Sequence, residues 1–215
     1  MKKLVVYGAS NFGDEVAQLF MDINSAKVQW QILGYLDDNV ELWNTKRLGL
    51  PVLGGMEWLT AASPEVEVVI GIGNPKIRRR IASKVCEIGR AFATGIHPTA
   101  TVSSSAEIGV GTIVKAGCVV TTHVKLGNHV IVQVLTSINH NSSIGDFSTL
   151  NPQVSICGDV LVGEGVYFGT GVKVIDKVRI GTGAILGAGA VVVRDIPEWV
   201  TAVGVPAKVI KNQSL

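Results

Sequence analysis

The chain has 215 residues, 47% of them hydrophobic and 17% charged, with a net charge of +2 at pH 7. That balance suits a well-buried globular core and excludes a disordered chain. Charges of both signs are mixed and aromatic residues make up only 6%, so neither a basic field nor a base-stacking surface points to nucleic acid.

The opening MKKLVVYG sets two lysines before an apolar run, as a secretion signal does. The run from Leu4 to Tyr7 meets glycine and charge too soon for that and reads as a first strand. FGDEVAQLFMDI follows, with Val16, Leu19, Phe20 and Ile23 at helical spacing. QILGYLDD reads as a second strand and VEVVIGIGN as a third. PKIRRRIASKVCEIG is a second helix with Ile77, Ile81 and Val85 on one face. Such alternation predicts a small Rossmann-like parallel α/β domain over residues 1–93. Ligands of these sheets bind at the carboxyl ends of the strands. Here those ends are the loop from Gly8 to Gly13, the pair Asp37-Asp38, and Gly71-Ile72-Gly73-Asn74. The first loop lacks the middle glycine of GxGxxG and the Lys-Ser/Thr of a P-loop, which weakens a dinucleotide or ATP reading. A strand-to-helix turn with free N–H groups still suits a pyrophosphate.

The rest of the chain keeps a different rhythm. Counting in sixes from Ile96 to Val192, seventeen consecutive positions are aliphatic, with one phenylalanine at Phe168. Two residues before each of these, the side chain is small or β-branched. Glycine follows the beat every eighteen residues, at Gly109, Gly127, Gly145, Gly163 and Gly181. Eighteen is three sixes. Three short strands therefore make one triangular coil, with the beat residues stacked inside and coils about 4.8 Å apart. The expectation is that the recurrent glycines take corner geometry. This domain covers 94–215.

Cys86, Cys118 and Cys157 are far apart and form no CxxC, and they read as reduced, buried thiols of a cytoplasmic protein. No stretch approaches the roughly 18 apolar residues of a membrane-spanning helix. No metal site is expected, because histidines, cysteines and carboxylates are scattered. His97, His123 and His129 read as surface residues.

The repeat is visible in I-G-V-G-T-I, L-G-N-H-V-I, I-G-D-F-S-T and V-G-E-G-V-Y, and it resembles that of the hexapeptide-repeat acyltransferases. That resemblance implies a left-handed parallel β-helix; a period of six does not by itself give the hand. YGAS-x2-G, LDD, IGIGN-x2-IR, INHNSSIGDFS and VGVPAKVI extend it over nearly the whole chain. On these residues the chain is similar to sugar acetyltransferases of the sialic-acid O-acetyltransferase type, and within them to nucleotide-sugar 4-amino N-acetyltransferases.

What this implies is a homotrimer that moves acetyl from acetyl-CoA, without metal, to the 4-amino group of a nucleotide-linked amino-deoxysugar. His140 would be the general base of a direct transfer, with a backbone N–H as oxyanion donor. Relatives commonly carry an acid after this histidine, where this chain has Asn141. An amide orients an imidazole but adds no charge, so a weaker base or an acid supplied from elsewhere is expected. His123, eighteen residues before Asn141, reads as sharing a solvent-facing row with it. By resemblance Ser10, Asn11 and Phe12 line the nucleotide-sugar site. Asp37 and Asp38 meet the base or ribose, and Gly73 allows close approach. Acetyl-CoA would lie along Thr149, Thr170 and Ala188, with Lys208 toward its adenosine phosphate end. Two alternatives stand beside this. One is O-acetylation of a sugar of the sialic-acid type; the other is a non-catalytic trimeric scaffold that binds a nucleotide sugar.

Overall fold

A computed structural model describes residues 1–213. The chain forms two compact units, Met1–Pro98 and a second beginning at Thr99.

In the first unit the strands are β1 (Lys2–Tyr7), β2 (Trp30–Leu36), β3 (Lys46–Arg47), β4 (Leu50–Gly54) and β5 (Val66–Ile70). The helices are α1 (Asn11–Ala26), α2 (Met56–Ala61) and α3 (Pro75–Glu87). The sheet order is β3-β4-β2-β1-β5. β4, β2, β1 and β5 run parallel, and β3 closes the edge as an antiparallel hairpin with β4. β1 is central, which is why Leu4, Val5 and Val6 are apolar without alternation and wholly buried. The predicted stripe of α1 is buried, and Phe20 meets Trp30 edge-on at 5.3 Å. In α3 Ile81 and Val85 are buried but Ile77 is 40% exposed; the buried residue of that turn is Arg78. β3, β4 and α2, from 46 to 61, are additions to the predicted elements.

The second unit is a left-handed β-helix of two-residue strands. From Thr101–Val102 to Lys173–Val174 each strand pairs in parallel with the one eighteen residues on, as Val120 does with Ile138 and Ile138 with Ile156. Three faces result. The first runs from Thr101–Val102 to Val191–Val192, and the second from Glu107–Ile108 to Arg179–Ile180. The third includes Ile113–Val114 through Ile185–Leu186 and continues into Val200–Val203, which pairs antiparallel with Lys208–Asn212. The beat residues from Val114 to Val192 are buried in one continuous core. Burying each large aliphatic side chain contributes about 1.5–3 kcal/mol.

The recurrent glycines have a different cause from the one expected. None of Gly109, Gly127, Gly145, Gly163 and Gly181 has positive φ. A Cβ on Gly109 would lie 2.4 Å from the backbone of Gly127, and one on Gly145 2.5 Å from that of Gly163. They are glycine because adjacent coils touch there. The left-handed corners lie two residues further on, at every sixth residue from Gly111 to Gly189. His123, His129, Leu135, Asn141, Phe147, Gln153, Asp159 and Lys177 occupy that conformation as non-glycines.

Cys118 is buried as expected, but Cys86 is exposed and Cys157 is half-buried. Among the described residues no helix is long and apolar enough to cross a membrane.

Candidate active site

Three glycines shape the mouth of the parallel sheet. Gly8 has φ +117°, and a Cβ there would meet the Gly71 carbonyl oxygen at 2.8 Å. A Cβ on Gly13 would lie 1.9 Å from the Gly8 oxygen. The β1 loop, the first turn of α1 and the β5 loop therefore interlock. Ser10 caps α1, its Oγ accepting the Gly13 N–H at 3.3 Å. Ser10 and Asn11 are exposed and Phe12 is half-buried. Gly73 faces open space within 4 Å.

Asp37 and Asp38 have structural partners. Asp37 Oδ2 accepts the Ala9 N–H at 2.8 Å and Oδ1 that of Asn39 at 2.9 Å, so this carboxylate ties the end of β2 to the β1 loop. The exposed Asp38 accepts a short hydrogen bond from the Tyr7 hydroxyl. Burial, and then Asp38, push that hydroxyl well above the ordinary tyrosine range. Two arginines shape this region, Arg47, which the sequence reading missed, and Arg78, the arginine of IGIGN-x2-IR, to which it gave no role. Arg47, on the β3–β4 hairpin, donates to both carboxylate oxygens of Asp14 at 2.9 and 2.6 Å and to Asn11 Oδ1 at 3.1 Å. This sets a guanidinium beside the start of α1, and its pKa is raised by the Asp14 hydrogen bond. Arg78, 1% exposed, donates to the carbonyls of Ile72 and Gly73 at 2.8 and 2.9 Å and holds the β5 loop. Burial pulls its pKa down to about 9, which leaves it charged at neutral pH.

In the β-helix His140 lies on the corner between Ser137–Ile138 and Ser143–Ile144. Its ring rests over Gly158 of the next coil: a Cβ there would fall 2.2 Å from Cε1 and 2.5 Å from Nε2. Nδ1 is 3.5 Å from Asn141 Nδ2 and 4.0 Å from Asp159 Oδ2. Asn141 Nδ2 donates to Asp159 Oδ1 at 3.0 Å. Among the described residues no hydrogen bond engages His140 Nε2. His123 is exposed and shares the corner row of Asn141, Asp159 and Lys177. His129, expected at the surface, is 5% exposed because its ring stacks on Phe147 at 5.0 Å. His97 is half-buried against Asp22 at 3.2 Å.

The residues expected to line acetyl-CoA lie elsewhere on the coil. Thr149 faces out from the third sheet yet is 2% exposed. Thr170 and Ala188 are exposed and eighteen residues apart, on the corner between the third and first faces. Lys208 is exposed on the final strand. An open groove across Leu161, Arg179, Thr182 and Glu198 on the second face contains none of the expected residues. Among the described residues no group of three or more His, Cys, Asp or Glu is placed to hold a metal.

Residues 3–85 match the PglD N-terminal domain family. Over 98% of this chain and all of the other, the structure is similar to the acetyltransferase domain of PglB from Neisseria gonorrhoeae, with 34% identity and a TM-score of 0.90. The chain belongs to the hexapeptide-repeat sugar acetyltransferases. Within that family it is 29% identical to PerB from Caulobacter crescentus, solved with CoA and GDP-perosamine, over 97% of both chains at a TM-score of 0.89. It is also 32% identical to the UDP-N-acetylbacillosamine N-acetyltransferase of Bacillus subtilis (strain 168). That match covers 54% of this chain and 52% of the relative, so the chain spans about half the length of the Bacillus protein. Hexapeptide-repeat periodicity also contains the signal for the missed carboxylate, since eighteen residues beyond Asn141 is Asp159. Arg47 carries no such signal, because its hairpin obeys no repeat.

Proposed function

We propose that this protein transfers acetyl from acetyl-CoA to the 4-amino group of a nucleotide-linked amino-deoxysugar. The observation that carries the reading is the seating of His140. The ring rests on Gly158, Nδ1 is turned toward Asn141 and Asp159, and Nε2 is left for a substrate. A neutral amine attacks the thioester carbonyl, forming the C–N bond. His140 takes the proton released from nitrogen and returns it to sulfur as the C–S bond breaks. A backbone N–H stabilises the tetrahedral oxyanion. Acetyl-CoA is already activated, so no covalent enzyme intermediate is needed.

In this reading the α/β unit binds the nucleotide sugar. Ser10, Asn11 and Phe12 line the pyrophosphate and sugar at the start of α1, with Asp38 toward the ribose or base and Gly73 at the wall. Asp37 supports that loop. Thr149, Thr170, Ala188 and Lys208 line acetyl-CoA. His140 and the pair Thr170 and Ala188 occupy different corners of the same β-helix. A site holding both draws on two copies, which supports a homotrimer of β-helices. Three free cysteines fit a reducing compartment, and the reading places the enzyme in the cytoplasm.

The test is release of CoA thiol from acetyl-CoA in the presence of UDP-, dTDP- and GDP-linked 4-amino sugars, with free sialic acid beside them. Fast release with one nucleotide-linked amine is expected. Release with sialic acid alone would replace amide formation by ester formation. Binding without release across the panel would make the protein a scaffold.

A further inference from the structure

We propose that Asp159 is the carboxylate partner of His140, supplied from the next coil because the neighbouring residue, Asn141, is an uncharged amide. The inference rests on the reading of His140 as general base.

An imidazole that takes a proton becomes a cation, and a nearby anion favours that change. Asp159 is the carboxylate that meets this ring: Oδ2 stands 4.0 Å from Nδ1. Its other oxygen, Oδ1, accepts the Asn141 amide at 3.0 Å. Asn141 thus clamps the carboxylate in place, and both of its contacts bear on the same corner. The backbone fixes the register, since the Asp159 N–H donates to the His140 carbonyl at 2.9 Å. Gly158, one residue before, lets the ring lie down on that coil. Ring floor and carboxylate therefore come from adjacent residues of a single turn. A separation of 4.0 Å is long for a hydrogen bond, and such contacts tighten when substrate binds. The carboxylate sets the ring as well as its charge. A hydrogen on Nδ1 pointing at Asp159 leaves the Nε2 lone pair for the amine proton.

A plainer account of Asp159 is conformational. It sits at a corner with φ +58°, where a short polar side chain is tolerated. Asn tolerates that conformation equally and accepts the same amide hydrogen bond, so Asp159→Asn removes charge and little else. The other charged or titratable members of the corner row, His123 and Lys177, are untouched by the change.

The experiment compares wild type, Asp159→Asn, and the double variant Asn141→Asp/Asp159→Asn, which moves the acid beside His140. Steady-state kinetics on the full-length enzyme and ring ¹⁵N NMR of labelled histidine are both recorded. For Asp159→Asn kcat should fall about 10- to 100-fold, with KM for both substrates and the melting temperature nearly unchanged. The double variant should recover most of the loss. The ring shifts should report hydrogen on Nδ1 in wild type and a mixture of tautomers in Asp159→Asn. A kcat within about twofold of wild type would overturn the proposal, as would a fall that the double variant does not recover. Unchanged ring shifts overturn it whatever the kinetics. If wild type releases no CoA with any amine, the substrate reading fails, and the ring shifts alone still decide the role of Asp159.

Discussion

Gly158→Ala places a methyl group under the His140 ring. The new Cβ would sit 2.2 Å from Cε1, 2.5 Å from Nε2 and 2.8 Å from Nδ1. Ordinary contact begins at 3.4 Å, so the near edge of the ring must retreat by about 1.2 Å. The backbone does not resist the change, because Gly158 is not among the residues with positive φ. The His140 side chain is 58% exposed and free to swing away, so the loss of stability should stay within about 1 kcal/mol. Catalysis tolerates much less, since a misplacement of about 1 Å costs as much as 10²-fold. Turnover, followed by CoA thiol release, should fall about 100-fold while the melting curve moves by no more than a few degrees. Gly165→Ala is the control: it sits at φ +63° with nothing within 4 Å, so it should lose stability and keep turnover. A Gly158→Ala enzyme within about threefold of wild type would show that the ring position does not govern the reaction.

His140→Ala should lower turnover by 10²-fold or more while nucleotide-sugar binding, read by calorimetry, persists. Retained turnover would remove His140 from the mechanism. Arg78→Met leaves the carbonyls of Ile72 and Gly73 without their buried donor and should cost about 2–4 kcal/mol in urea unfolding. A smaller loss would mean that the β5 loop orders itself. Tyr7→Phe probes alkaline stability. The Tyr7 hydroxyl keeps its proton in the folded state above the ordinary tyrosine value of 10.0, so the folded chain binds more protons there than the unfolded one. Stability contributed by Tyr7 is therefore present below pH 10 and lost as pH rises past it. Tyr7→Phe should be less stable near pH 8, by about 1 kcal/mol for the lost hydrogen bond, and should decline less steeply above pH 10. Parallel slopes for the two proteins would contradict this.

The β-helix was legible because its periodicity is redundant. Val114, Val132, Leu150, Phe168 and Leu186 are one inward row, and each repeats the information of the others. The glycines after the beat were legible as a signal but not as a cause. Gly109 and Gly145 answer to the backbone of the next coil, a contact eighteen residues away that no local turn rule contains. The true corners were hidden because His123, Leu135, Asn141 and Lys177 share a backbone conformation and no side-chain chemistry. The α/β unit was legible where strands are buried on both sides, as at Leu4 to Val6, and not at its edge. β3 and β4 are short, and Pro51 interrupts the pattern of β4. Arg47 went unseen with them. Asp37 looked like a ligand acceptor because two adjacent aspartates at a strand end read that way. Its oxygens also hold the Ala9 and Asn39 N–H groups, a structural role that the sequence does not show.

Acetyl transfer to a nucleotide-linked amine is tested most directly by the structure of the product. The enzyme, ¹³C-acetyl-CoA and the nucleotide-linked 4-amino sugar that releases CoA fastest would be incubated together, and the product examined by NMR. The labelled carbonyl should couple to an amide hydrogen on the nitrogen at C4, with the nucleotide still attached. Label found as an ester on a sugar hydroxyl, or only in free acetate, would contradict it.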